Sequence, residues 1–328
     1  MPRARLSALA ALALVAARAQ PARAGDNDLV LARLADVVVD DSGAPVDAVG
    51  ANQDFRSLAS ELGVVMAPRL AGPADTPGLA GFQFSADLAW TRVHTDRSYW
   101  RALAGSRDPA GRDHGGSFMN TVGLFARKGI WLPAPSFELG LGAVHLVDSQ
   151  LWAAQGYAKL AVLEGFHYLA VPSIALRAGL SRMMGSSELE LTVLSLDATV
   201  SKSIGVAGIA RVSPYAGWNA LVIVPRSQVI DKTPQTDPRV QPLDASLDFV
   251  FPDQDNILRN RLFAGVVVKH YIVSLSLEAA LALRGSSKDD RSGTDVACGQ
   301  VEEPTAQCDS RDRAGQQVGL TAALALAF

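Results

Sequence analysis

The feature that most constrains this chain is an alternation of side chains with period two, recurring in ten separate stretches. Successive residues of a strand point to opposite faces, so such a period predicts strands with one apolar and one polar face. Phe82, Phe84, Ala86, Leu88 and Trp90 alternate with Gln83, Ser85, Asp87 and Ala89. Trp152, Ala154, Gly156, Ala158, Leu160 and Val162 alternate with Gln155, Tyr157 and Lys159. Leu262, Ala264, Val266 and Val268 face away from Arg261 and Lys269. Val273, Leu275 and Leu277 face away from Ser274, Ser276 and Glu278. Val318, Leu320, Ala322, Leu324, Leu326 and Phe328 close the series. The other stretches begin near residues 119, 136, 168, 188 and 206. Each spans roughly 12–16 residues, long beside the ~5–6 of soluble proteins and enough for a tilted membrane strand of about 9–11. Within 188–202 the phase switches: Leu189, Leu191 and Val193 are odd, then Leu194, Leu196, Ala198 and Val200 are even. That switch predicts a β-bulge near Val193. Pro172 and Pro214 fall inside two stretches, where each removes a ladder hydrogen bond.

The connections are as ordered as the strands. The long ones are 95–118, 221–256 and 285–314, and all fall on odd-numbered gaps. Turns near Pro133, Gly165, Ser203–Gly205 and His270–Tyr271 serve the even gaps. Long loops therefore gather on one rim, and both chain ends are expected on the short-turn rim. Loop 221–256 carries three bases and six acids, and loop 285–314 four bases and seven acids. Acids of this kind keep a rim solvated or meet a surface partner.

The chain opens with Arg3 and Arg5, an apolar run Leu6–Ala17 and small-x-small sites at Ala17–Ala19 and Ala22–Ala24. This is the pattern of a cleaved export signal over 1–24, too short for the ~20 residues of a spanning helix. Removing its four arginines takes the formal charge from −3 to −7, which argues against a generic nucleic-acid binder. Export implies an oxidising compartment, so Cys298 and Cys308 are expected to form a small surface disulfide. The hydrophobic content of 48% suits a soluble core and a lipid-facing coat equally; the alternation favours the coat.

An export signal, period-two strands, an even strand count, short turns opposite long loops, and the terminal Leu324, Leu326 and Phe328 together resemble Gram-negative outer-membrane β-barrel proteins. The resemblance covers roughly 79–328 and is to the architectural class, not to one family. It implies an all-β, transmembrane, antiparallel up-and-down barrel of about ten strands in the outer membrane, with N- and C-termini periplasmic. It implies outer-membrane lipid as a partner, and Leu324, Leu326 and Phe328 as the signal read by the barrel-assembly machinery.

Residues 25–78 fall outside the barrel pattern and are expected to be a periplasmic tail or a lumen plug. Asn52 is placed to cap a short helix in which Phe55, Leu58, Leu62 and Val65 share a face. Gly63–Leu70 reads alternatively as a strand, which with one further segment would raise the count to twelve.

The polar faces put Asp87, Glu138, Asp197 and Glu278 in the lumen with Arg127, Lys159, Arg177, Arg211, Arg261 and Lys269. A ten-stranded tube is barely wider than one its own side chains fill. Charges there are expected to interleave as ion pairs, since unpaired ones are costly. The expected role is structural or surface-interacting. The alternative is a narrow pore whose basic excess passes small polar or anionic solutes. A rim hydrolase is the weakest option. Ten-stranded outer-membrane proteases carry Asp-x-Asp and Asp-x-His elements, which the order of His94, Asp96, Asp113 and His114 does not reproduce. His94 and Ser98 have no supporting motif. No enzyme, cofactor, metal or nucleic-acid partner is expected.

Overall fold

The computed structural model describes residues 25–43, 45–70, 72–79, 81–106, 116–130, 136–164, 171–232, 247–251, 256–285 and 312–328. The export signal, Cys298, Cys308, Asp113, His114 and the turns near Pro133 and Gly165 lie outside the described residues. A hairpin of β1 (Ala35–Val39) and β2 (Pro45–Gly50) leads into helix α1 (Asn52–Val65). The barrel follows: β3 (Phe82–Arg92), β4 (Phe118–Ile130), β5 (Ser136–Leu146), β6 (Trp152–Leu163), β7 (Ser173–Met184) and β8 (Leu189–Ser201). A short β9 (Ile204–Val206) precedes the long β10 (Ala210–Ser227). Two-residue strands β11 (Ile230–Asp231) and β12 (Asp248–Phe249) pair in the next connection. The last three are β13 (Ile257–His270), β14 (Val273–Ala282) and β15 (Gln317–Ala327).

Ten long strands pair antiparallel in the order β3-β4-β5-β6-β7-β8-β10-β13-β14-β15, and β15 pairs back onto β3. Phe82 and Phe328 exchange backbone hydrogen bonds of 3.0 and 2.8 Å at this seam. Closure leaves no edge among these strands and satisfies the ladder within the sheet. The count is ten, not twelve: Gly63–Val65 finish α1, and residues 66–70 join no ladder. The outer face is apolar over its whole circumference, with Leu124 65% and Leu141 70% exposed and Leu88, Leu176, Leu196, Leu277 and Leu320 beside them in kind. An apolar belt of that extent requires lipid. Among the described residues no helix is long and apolar enough to cross a membrane; the strands cross it.

Several local expectations are corrected. No bulge interrupts β8, whose pairing with β7 and β10 is continuous. Leu189, Leu191 and Val193 are buried, pointing inward, while Leu194, Leu196 and Val200 are exposed on the lipid face. The phase switch in the sequence is thus a change in what the inward face packs against. For the same reason β10 runs to Ser227, since the inward Leu221 and Ile223 are buried like core residues. The turn before β10 sits at Ala207–Gly208, not at Ser203–Gly205. Its φ values of 51° and 69° are the paired left-handed conformations of a tight hairpin. Pro172 precedes β7 and so costs the ladder nothing. Ala51, not Asn52, stands at the N-cap of α1, with no side-chain cap.

The largest correction concerns the segment that begins at Gly25. Asn27 N donates to Asp148 O (2.9 Å), Leu29 bridges to Leu103, and Leu31 N donates to Glu188 (2.5 Å). Those partners belong to the β5–β6, β3–β4 and β7–β8 connections, all on the long-loop rim. Phe328 lies at the opposite rim, so Gly25 and Phe328 do not share the short-turn side. The chain between them passes through the barrel.

Candidate functional site

The candidate site is the lumen and what fills it. Helix α1 stands in the long-loop end. Its Phe55, Leu58, Leu62 and Val65 are buried in one cluster with Leu146, Met183, Leu189, Leu191, Val193, Leu221 and Ile223 of the wall. Phe55 stacks on Phe251 at 4.3 Å between ring centres, tying α1 to the segment after β12. Gly63 lets α1 lie close against β10, since a Cβ there would lie 2.6 Å from Ile223 Cδ1.

The polar residues of α1 are buried too. Glu61 is fully enclosed and gathers the rim connections. It accepts from Tyr99 Oη (2.9 Å), Trp100 Nε1 (3.0 Å), His94 N (3.1 Å) and Gly315 N (3.2 Å), and its Oε1 lies 2.7 Å from His94 Nδ1. Burial, and then the Glu61 carboxylate, hold the Tyr99 hydroxyl well above the ordinary tyrosine range. Beside it Ser60 donates to Asp312 (2.6 Å), and Arg259 donates to Ser60 Oγ (2.8 Å), Leu283 O (2.9 Å) and Gly315 O (2.8 Å). His94 and Ser98 form no dyad: His94 turns to Glu61, and Ser98 donates to Asp54 at 2.9 Å.

Below α1, residues 66–70 and 72–79 run as a strap down the lumen, and the wall grips them. Gln155 Nε2 donates to Met66 O and Ala67 O (both 3.1 Å), and Ser181 to Met66 O (2.6 Å). Arg261 reaches Pro68 O (3.2 Å), Arg177 reaches Leu70 O (3.0 Å), and Lys159 reaches Asp75 O (3.0 Å). The strap answers with Arg69, paired to Asp87 at 3.1 Å. Its Thr76 donates to Glu164 at the short-turn end (2.7 Å).

The ten expected lumen charges thus fall into four groups. Glu138 meets Lys159 (2.8 Å) and Arg127 (3.8 Å) and accepts from Tyr157 (2.6 Å). Asp197 meets Arg177 at 3.0 Å. Asp87, Arg261 and Glu278 bind other residues: Arg69, Asn219 (2.8 Å) and Tyr215 (2.9 Å) respectively. Arg211 and Lys269 are exposed at the short-turn mouth, opposite each other in the β10–β13 ladder. Arg69, Glu61 and Arg259 were not legible as site residues, because two lie in the unpatterned segment and the third beside a long loop. The one hint is Glu61 on an otherwise apolar helix face.

Small cavities remain along one side of the strap. One of about 40 Å³ is lined by Arg69, Asp87, Tyr157 and Ser276, and one of about 30 Å³ by Thr91, Arg261 and Thr321. Each has room for a few waters at most. Among the described residues no group of His, Cys, Asp and Glu is arranged to hold a metal.

A closed, even-stranded, up-and-down barrel with an apolar coat and a polar, filled lumen is the architecture of Gram-negative outer-membrane β-barrel proteins. No protein family model and no curated protein matches the chain. Among solved structures, Neisserial surface protein A is 10% identical, with 75% of this chain and 97% of that one covered at a TM-score of 0.28. The outer membrane protease OmpT of Escherichia coli is 10% identical over 77% and 98%, at 0.32. LpxR of Salmonella typhimurium is 9% identical over 74% and 99%, at 0.31. Scores this low carry no weight for the role of the chain, and these proteins span both surface proteins and a protease.

Proposed function

We propose that this outer-membrane barrel is a plugged anchor that displays a surface-interaction platform, with its long-loop rim outward and its short-turn rim toward the periplasm. The observation that carries this role is the threaded segment 52–79. It fills the lumen with a helix packed as core and a strap held by wall arginines and lysines, so no open channel is needed to explain the inward charges. The platform is built from hairpin β1–β2, the 3-10 turn at Ser98–Ala102 and the paired strands β11 and β12. Glu61 holds the Ser98–Ala102 turn from beneath through Tyr99 and Trp100, and ties it to the approach to β15 through Gly315 N. On this proposal Gly25 emerges at the cell surface while Phe328, with Leu324 and Leu326, stays at the periplasmic rim for the assembly machinery.

Planar-bilayer recording tests it. The intact chain should give no discrete channel, and a variant lacking 25–79 should conduct. Steady, discrete openings from the intact chain would overturn the plugged anchor. They would favour instead a narrow path for small polar or anionic solutes along the cavities beside the strap, neighbours among which share Arg69 on one side and Gln83 and Arg127 on the other.

A further inference from the structure

We infer that the lumen is a binding site for extended polypeptide, gripped by its main chain, and that the barrel displays outside whatever polypeptide precedes α1. This rests on the outward placing of the long-loop rim and adds what the lumen takes as its ligand. The strap is held mainly by its backbone. Side chains of the wall donate to the carbonyls of Met66, Ala67, Pro68, Leu70, Pro73 and Asp75. Its N–H groups are taken as well: Arg69 N donates to Gln155 (3.1 Å), Ala74 N to Ser201 (3.0 Å) and Thr76 N to Glu164 (2.8 Å).

Every peptide carries these backbone groups whatever its side chains, so such a grip selects for extension more than for sequence. Pro68 and Pro73 favour extension by fixing φ, and they bring no N–H that would need an acceptor. Fewer contacts read side chains: Arg69 pairs with Asp87, Leu70 packs with Tyr215 and Phe263, and Thr76 meets Glu164. Beside the strap the wall stands off. Hollows of about 40 Å³ along Arg69 and Gly72, and about 140 Å³ along Pro73 and Thr76, leave space for other side chains. A helix with its side chains is about 10–12 Å across, far wider than one extended chain. Helix α1 stands only where the wall is apolar, its Leu58 and Leu62 buried with Leu221 and Ile223. It acts as a stop that holds the chain ahead of it outside.

The test is an epitope tag inserted between Ala24 and Gly25 of the full chain, after the expected cleavage site. It is read by antibody on intact cells and again after permeabilising the outer membrane. The tag should be reached on intact cells. The signal should stay within about twofold when residues 70–76 are placed in reverse order with Pro73 kept, because the backbone groups remain. Gln155→Leu with Ser181→Ala strips the donors from the Met66 and Ala67 carbonyls without stranding a charge, and should cut the signal about fivefold. Heat-modifiable migration confirms that each barrel is folded. A tag reached only after permeabilisation would overturn the outward rim, and the display with it. A tag outside in the intact chain but lost from the folded reordered variant would leave the plugged anchor standing and overturn the conduit. Display undiminished by Gln155→Leu with Ser181→Ala would overturn the main-chain grip.

Discussion

The two ends of the lumen solve the same filling problem by different physics. At the long-loop end, inward residues of β8 and β10 are Leu189, Leu191, Val193, Leu221 and Ile223, and they bury α1 as a soluble protein buries a core helix. At the short-turn end, inward residues are Arg177, Lys159, Glu138 and Asp197; the two cations, each paired to one of the acids, hold an extended strap by its carbonyls. A helix satisfies its own backbone and offers apolar side chains, so its wall can be apolar. An extended strap leaves its carbonyls open, so its wall must donate hydrogen bonds. The wall charges are thus matched to the backbone conformation of the plug as well as to one another.

The comparison is most severely tested at Glu138. This carboxylate is fully buried between Lys159 and Arg127. Glu138→Gln strands two cations in a closed space and should cost about 3–5 kcal/mol. Urea unfolding in detergent micelles would read it, and a loss below ~1 kcal/mol would show that the polar end of the lumen is solvated, not packed. At the apolar end the corresponding probe is Gly63→Ala, whose new methyl meets Ile223. Overpacking there should cost about 1–3 kcal/mol, and should cost less in an Ile223→Ala background, which removes the atoms the methyl would meet. No effect would mean that α1 sits loosely.

The smallest effect is at the rim. Glu188 is raised above the ordinary glutamate range by burial, only partly offset by the Leu31 N–H it accepts. A raised carboxyl stabilises the docked state fully below the unfolded value of about 4.3, and that contribution is lost as pH rises through the folded value. Hydrogen exchange over residues 25–34 should therefore quicken between pH 4 and neutrality after correction for intrinsic rates. Glu188→Gln should flatten the dependence; a profile unchanged by that substitution would remove Glu188 from the docking of this segment.

Much of the barrel was legible because period two is set by the peptide backbone and needs no knowledge of neighbours. Phe84, Leu88 and Trp90 face lipid and Gln83 and Asp87 face inward whatever the strand pairs with. The errors came where a partner distant in sequence decides the inward residue. Leu189, Leu191 and Val193 resembled a slipped lipid face, because only α1, more than a hundred residues earlier, explains apolar side chains inside a barrel. Arg69 and Glu61 were missed for the same reason from the other side, as charges in a segment without a period.

Alone, the amino-acid sequence determined the strands, their faces, the even count and the division into long-loop and short-turn rims, since these follow from local alternation and chain spacing. The tertiary structure decided that residues 52–79 fill the lumen, that Gly25 and Phe328 lie on opposite rims, and which carboxylate each buried cation meets. Those outcomes depend on contacts between residues far apart in the chain. Such contacts form only once the barrel closes around the plug, and the sequence's local periods do not encode them.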